Sequence, residues 1–280
     1  MKIDYISDVH FDTHLGLWPH VRRQYFEQYF ENIFVPIFKS KSSEILIIAG
    51  DIGENNQQNI EALRLIRDEI GYTSILFVLG NHDWFLSNRK AIVDYETSLN
   101  RVNEMKGFCE KEKGLSLLDG NIVKIDGIRF GGAMGWYDGR YIWHHLNPFY
   151  TKDREYINRL WKEYNPDYDN IIGIEEFDGF YAEESAKIEA IYKACDVMIT
   201  HYNPSIRQQH TQRRFREDDT TGFFTFDGSR FLAEGTMKHW IFGHQHWSES
   251  FDIEGVLCHV NAFGYPSERR KEMRIKSIDL

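Results

Sequence analysis

The sequence predicts an α/β fold built on a mostly parallel sheet, and three observations carry that prediction. Ile45-Leu46-Ile47-Ile48-Ala49 and Ile75-Leu76-Phe77-Val78-Leu79 are continuous apolar runs rich in β-formers, the pattern of strands buried on both faces. Stretches of helical periodicity separate them from one another and from an opening strand, which gives a βαβαβ order. Each run then breaks into polar residues that are costly to bury without partners. In open α/β sheets that C-terminal edge is where ligands bind.

Taken in order, Lys2-Ile3-Asp4-Tyr5-Ile6 alternates like a first strand and runs into Ser7-Asp8-Val9-His10. Trp18 to Lys39 reads as an amphipathic helix with Phe26, Phe30, Ile33, Phe34 and Ile37 on one stripe. The second strand ends in Gly50-Asp51. A helix follows with Ile60, Leu63, Ile66 and Ile70 inward and Gly71 as its stop. The third strand ends in Gly80-Asn81-His82-Asp83. Leu86 to Lys113 is helical again, with Ile92, Leu99, Val102 and Phe108 expected on the buried side. Ile122 to Ile125 and Ile128 to Phe130 flank Asp126-Gly127, a strong hairpin signal, and a glycine-rich stretch then leads to Trp136-Tyr137-Asp138.

Residues 137–181 have no clean period and many aromatics, including Tyr141, Trp143, Phe149, Tyr150, Trp161 and Tyr164. They read as an inserted cap whose aromatics pack on the main body; stacking on a nucleobase or another planar group is the alternative. A helix near Ala182 to Ala194 precedes the short strand Val197-Met198-Ile199, which ends in Thr200-His201. Residues 203–237 place Arg207, Arg213, Arg214 and Arg216 beside Glu217, Asp218 and Asp219, a solvated loop that leaves an arginine or two for a phosphate. The last apolar strand, from His239, ends in Gly243-His244-Gln245-His246. A hairpin of Ser250 to Ile253 and Val256 to Val260 leads to Asn261 and Tyr265.

The totals bound the chemistry. At 280 residues and 42% hydrophobic, the chain can bury a sizeable core, and one domain spanning 1–280 with the insertion is expected. With 33 basic and 43 acidic residues the net charge is −10, so no global field attracts nucleic acid or an anionic membrane. A phosphate-bearing substrate therefore needs a local positive centre, which a metal supplies. Cys109, Cys195 and Cys258 match no zinc or disulfide pattern; free thiols and the lack of a signal peptide lead to the expectation of a cytoplasmic protein. Nothing approaches the roughly 20 apolar residues of a membrane span.

Asp8 and His10 are two apart, as are His244 and His246, so in extended backbone each pair projects to one side. Strand-like runs thus end in Asp8/His10, Asp51, Asn81, His201 and His244/His246, and a parallel sheet would bring all of these ends to one edge. The set is too large for one tetrahedral zinc and sufficient for two ions with open positions. Nitrogen and oxygen donors without thiolate suit Mn, Fe, Zn, Co or Ni better than Ca or a hydrated Mg.

Asp8-x-His10, Gly50-Asp51, Gly80-Asn81-His82-Asp83, Thr200-His201 and Gly243-His244-x-His246 together resemble the signature of the calcineurin-like metallophosphoesterases, in that family's order. Asn261 to Tyr265 is similar to an Asn-x-x-Gly-Tyr ending of some members. The resemblance implies a sandwich of two mixed β-sheets flanked by helices (αββα) and two divalent ions, Mn²⁺ first among them. It implies one ion on Asp8, His10 and His246, the other on Asn81, His201 and His244, and Asp51 bridging. It also implies His82 as the catalytic acid, with Asp83 holding its orientation. The implied reaction is hydrolysis of a small phosphomonoester or phosphodiester, nucleotide types included, by in-line attack of a hydroxide shared between the ions.

Departures narrow the branch. The Gly-Asp-x-x-Asp-Arg-Gly of serine/threonine phosphatases is broken by Ile52, Gly53, Glu54, Asn55 and Asn56. The tyrosine that purple acid phosphatases place three residues after the aspartate is here Glu54. Two other readings stand beside the leading one. A nuclease or nucleic-acid 3′-end phosphatase is disfavoured by the negative charge. A non-catalytic scaffold is disfavoured by the intact His82 and ligand set.

Overall fold

Alternation inside the apolar runs decides how the layers stack. In the computed structural model, which describes residues 1–15, 23–268 and 273–280, Ile45, Ile47, Ala49, Leu76 and Val78 point one way. They pack with Phe130, Val197, Ile199 and Ile241 in a core between two sheets. Their neighbours Leu46, Ile48, Ile75 and Phe77 point the other way, into the helical layer.

The described strands are β1 (Lys2–Ile6), β2 (Ile45–Ala49), β3 (Ser74–Val78), β4 (Leu115–Leu117), β5 (Asn121–Ile125), β6 (Ile128–Gly132), β7 (Val197–Ile199), β8 (His239–Phe242), β9 (Ser248–Ile253), β10 (Val256–Asn261) and β11 (Lys276–Asp279). One sheet has the order β11-β1-β2-β3-β4, parallel except for β11; the other has the order β5-β6-β7-β8-β10-β9, parallel from β6 to β10 with antiparallel edges. The architecture is an αββα sandwich of two mixed sheets.

This is the two-sheet sandwich that the family resemblance implies, whereas the βαβαβ pattern alone suggests only a mostly parallel sheet. The first three site-bearing strands lie in one sheet, and β7 and β8 lie in the other. A strand that is apolar on both faces is buried as well by a second sheet as by a helix, so its composition does not choose between them. The turn Asp126-Gly127 has both residues at positive φ (47° and 90°) and joins β5 to β6 as the sequence predicts.

The helices are α1 (Phe11–Leu15), α2 (Arg23–Ile33), α3 (Val35–Phe38), α4 (Asn56–Asp68), α5 (Arg89–Tyr95), α6 (Ser98–Cys109), α7 (Arg140–His145), α8 (Arg154–Tyr164), α9 (Pro166–Asn170), α10 (Phe177–Ile191) and α11 (Ser229–Glu234). Of the helix expected over Trp18–Lys39, residues 18–22 lie outside the described ones. The remainder divides into α2 and α3, with Pro36 in the first turn of α3. Its stripe is nonetheless core, since Phe26, Phe30, Phe34 and Ile37 are all buried.

The helix expected over Leu86–Lys113 also divides. Glu96 at φ 64° ends α5, and Thr97 caps α6 by accepting the Asn100 N–H. The break shifts the helical phase, so Ile92 and Leu99 are exposed while Val102 stays buried. Residues 137–181 are largely helical, carrying α7, α8, α9 and the start of α10. Among the described residues no helix is long and apolar enough to cross a membrane.

Candidate active site

All the polar strand ends meet where the C-terminal edges of the two sheets adjoin. Asp8 N–H donates to the Gly50 carbonyl, and His10 N–H to that of Asp51. The second sheet joins them when His244 N–H donates to the Asp8 carboxylate (2.9 Å) and His201 Nδ1 to the Ala49 carbonyl (2.9 Å). Glycine is required where these loops cross. A Cβ on Gly50 would lie 2.3 Å from His201 Nδ1, and one on Gly80 would lie 2.2 Å from Asp51 Oδ1.

The extended backbone assumed for the two Asp/His-x-His pairs is not what brings them together. Asp8 (φ 53°), His10 (42°), Asp51 (55°), His244 (66°) and His246 (39°) all occupy the left-handed region. For residues with a Cβ this costs on the order of 1–3 kcal/mol each, and it persists where the surroundings over-determine it. The turn out of each strand re-aims the side chains. Asp8 and His10 still converge with His246, whereas His244 swings away from His246 to join Asp51 and His201.

The possible donor groups are Asp8, His10 and His246; Asp51, His201 and His244; and His10, Asp51 and His82; the first two form clusters with Asp51 between them. In one, His10 Nε2 lies 3.2 Å from His246 Nε2, and His246 Nε2 lies 3.6 Å from Asp8 Oδ1. In the other, His201 Nε2 lies 3.1 Å from Asn81 Oδ1 and 3.2 Å from His244 Nδ1. Asp51 Oδ2 is 3.6 Å from His10 Nε2 and 3.3 Å from His201 Nε2, while its Oδ1 accepts the His82 N–H. Donors about 2.1 Å from a shared ion lie about 3.0–3.4 Å apart at octahedral to tetrahedral angles, so these separations suit two cations.

Protonation states argue the same way. His201 donates its Nδ1–H to Ala49; burial disfavours its charge, but Asp51 pushes it up to about 9, so Nε2 also holds a proton, amid the acceptors Asn81, Asp51 and His244, where a bound ion would replace it. More acceptors gather there than one shared proton serves. Burial, with His82 nearby, holds His10 well below the usual imidazole range, and burial with His201 does the same to His244. Both are thereby neutral ligands. Burial alone would raise Asp51, but the His201 and His82 imidazoles hold it well below the usual carboxylate range. The second nitrogen of His246 is tied to Glu268 Oε2 at 2.5 Å, the outer hydrogen bond that fixes a ligating histidine.

His82 stands beside these clusters. Its Nδ1 pairs with Glu54 Oε1 (2.8 Å) and its Nε2 with the Tyr265 hydroxyl (3.0 Å). Burial disfavours its charge, but Asp51 and Glu54 outweigh burial and push it up to about 9. The expectation that Asp83 holds this ring is not met. Asp83 instead accepts the backbone N–H groups of Ile52 (3.2 Å), Gly53 (3.2 Å) and Gly80 (2.8 Å), and the Asn59 amide (3.4 Å). It points beneath the loop because three main-chain donors there require an acceptor. The fully buried Arg101 completes that support, donating to the carbonyls of Gly53, His82 and Phe85.

Several partners escape a reading of the sequence alone. Glu54 is three residues after Asp51 and draws notice only as a departure from other patterns. Tyr265 appears only within the Asn261 to Tyr265 similarity. Glu268, Arg101 and Asp167 carry no signal. A cleft of about 400 Å³ opens over His82 and both clusters, lined by Phe85, Tyr164, Pro166, Phe215, Phe224 and the cation of Arg214, among others.

Comparison with known proteins gives the family of the chain. Residues 1–248 match the calcineurin-like phosphoesterase family model, and the chain belongs to that family of metal-dependent phosphoester hydrolases. It is 23% identical over 258 residues to the uncharacterized protein L509 of Acanthamoeba polyphaga mimivirus, covering 87% of each chain. Its fold is similar to that of phosphopantetheinyl hydrolase from Mycobacterium tuberculosis, with a TM-score of 0.67, 20% identity, and coverage of 99% of this chain and 95% of the other.

Proposed function

We propose that this protein is a dinuclear metal-dependent hydrolase of a small phosphomonoester or phosphodiester. The observation that carries the reading is the two donor clusters with the Asp51 carboxylate between them, 3.6 Å from His10 Nε2 and 3.3 Å from His201 Nε2, on the floor of a cleft with His82 beside them. Asp8, His10 and His246 would hold one ion, Asn81, His201 and His244 the other, and Asp51 both. Mn²⁺ is the first metal to test, following the family resemblance; the nitrogen and oxygen donors without thiolate equally suit Fe, Zn, Co or Ni. Two such ions, when bound, lower the pKa of a water and neutralise phosphoryl oxygens.

The rest falls to the chain's own residues. His82, held charged by Glu54, gives its Nε2 proton to the departing oxygen, and the Tyr265 hydroxyl keeps that nitrogen aimed until substrate takes its place. The aromatic walls take an apolar or planar leaving group and keep water from it, and Arg214 offers a charge to an anionic one. A cleft of this size suits a small molecule. Nucleotide-type and phosphopantetheinyl esters are the first natural candidates to screen, the latter because one protein of similar fold is a phosphopantetheinyl hydrolase. We read residues 1–280 as one domain with 137–181 as its cap, and the three free cysteines as those of a cytoplasmic protein.

The test is hydrolysis of p-nitrophenyl phosphate and bis-p-nitrophenyl phosphate by metal-stripped protein re-loaded with Mn²⁺. Turnover of the monoester points to a phosphatase, and of the diester alone to a phosphodiesterase. No turnover of either by protein that holds two ions, on these or natural esters, refutes the reading.

A further inference from the structure

We infer that the 137–181 insertion is a working part of the metal centre, because its Asp167 sets which atom Asn81 turns toward the ion. This rests on the dinuclear reading above and concerns how one ligand of the pair is positioned.

A carboxamide is nearly symmetric in shape, and a half-turn exchanges its oxygen for its NH₂. At Asn81 the difference is decisive. Oxygen toward His201 Nε2 (3.1 Å) makes a ligand, whereas NH₂ in the same place puts two protons into a cluster of lone pairs. Nothing on the strand that carries Asn81 makes that choice. Asp167 makes it, by accepting the Asn81 Nδ2–H at 2.8 Å with Oδ1, since an ionised carboxylate accepts and never donates.

The carboxylate is itself fixed by neighbours from the same insertion. The Tyr137 hydroxyl donates to its other oxygen (2.9 Å), and that hydroxyl in turn receives Trp161 Nε1–H and the Asn165 amide (3.4 Å). The Asp167 N–H is held by Asn165 Oδ1 at 2.8 Å. Asp167, Tyr137 and Trp161 are 3%, 0% and 1% exposed, so solvent does not compete with these bonds. The junction of α8 and α9, just ahead of Asp167 in the first turn of α9, also gives Tyr164, Asn165 and Pro166 to the wall of the cleft. One short segment therefore sets both the shape of the substrate pocket and the orientation of a metal ligand. Partners of ligands at this remove typically change metal affinity 10–100-fold.

The experiment titrates Mn²⁺ into metal-stripped protein and reads each binding step by calorimetry and the spin-coupled pair by electron paramagnetic resonance. Asp167→Ala should weaken the site containing Asn81 about 10–100-fold, leave the Asp8, His10 and His246 site within about threefold, and remove the coupled signal at Mn²⁺ levels that saturate the native protein. Asp167→Asn keeps the shape but can turn its own NH₂ toward Asn81, so it no longer makes the choice and should give a loss at the same step between native and Asp167→Ala. Tyr137→Phe, which removes one support and leaves the carboxylate, should give an intermediate loss and serves if the alanine variant does not fold. Native affinity at both steps in Asp167→Ala and Tyr137→Phe, or equal weakening of both steps, overturns the inference. A native protein that never binds a coupled pair overturns the dinuclear reading itself.

Discussion

Glu54→Gln isolates the electrostatic half of the His82 arrangement. The carboxylate lies 2.8 Å from His82 Nδ1, and both side chains are only about 15% exposed, so the interaction is weakly screened. Glutamine keeps an acceptor for the Nδ1–H, and with it the ring orientation, but removes the negative charge. A charge-assisted hydrogen bond of this kind is worth about 1.5–3 kcal/mol, which is about 1–2 pKa units. The sign is fixed by the role. His82 must be protonated to donate, so its ionisation forms the basic limb of the pH profile. Loss of a partner that favours the imidazolium moves that limb to lower pH.

The assay is kcat/KM against pH for an alkyl phosphoester and a p-nitrophenyl ester side by side. The limb should fall by about 1–2 units for the alkyl ester alone, because p-nitrophenolate leaves without a proton. An unmoved limb, or an equal shift on both esters, refutes the assignment of His82 as the acid paired with Glu54. Asp83→Asn gives the contrast. It should lower Tm by disturbing three buried main-chain hydrogen bonds and leave the limb in place.

His82→Ala should reduce kcat/KM for alkyl esters far more than for p-nitrophenyl esters, and equal losses would assign His82 to binding or charge instead. Asp51→Asn removes the anion shared by the two clusters, so metal analysis after dialysis should find both ions depleted rather than one. Glu184→Gln tests a buried carboxyl away from the metal ligands. Burial pushes Glu184 up to about 7 from 4.5, against the pull of Lys187, so the folded protein holds that proton more tightly than the unfolded chain. Stability from this group is complete below pH 4.5 and is lost as pH rises through 7. The native protein should therefore lose at most about 3 kcal/mol relative to the variant across that window in urea unfolding. A relative gain over the same window would contradict the assignment.

The composition of the strands and the polar residues at their ends determined much of this protein without help from the tertiary structure. Ile45 to Ala49 and Ile75 to Leu79 have no stable place except a buried sheet, and Gly50-Asp51, Gly80-Asn81 and Gly243-His244 mark where each strand must stop. These signals are local, carried by adjacent side chains and a two-residue or 3.6-residue repeat. Strand composition did not divide the strands between two sheets, since a doubly apolar strand accepts either neighbour; the family resemblance implied that division, and the tertiary structure assigned each strand to its sheet. It also decided the left-handed turns at Asp8, His10, Asp51, His244 and His246, which no repeat encodes because packing imposes them. The pairings that govern chemistry join distant segments: Tyr265 meets His82 across 183 positions and Asp167 meets Asn81 across 86. An acid far along the chain looks like any other acid. What makes Glu54 a partner for His82, and turns Asp83 beneath the loop instead, is which unpaired donors lie within reach once the sheets are assembled.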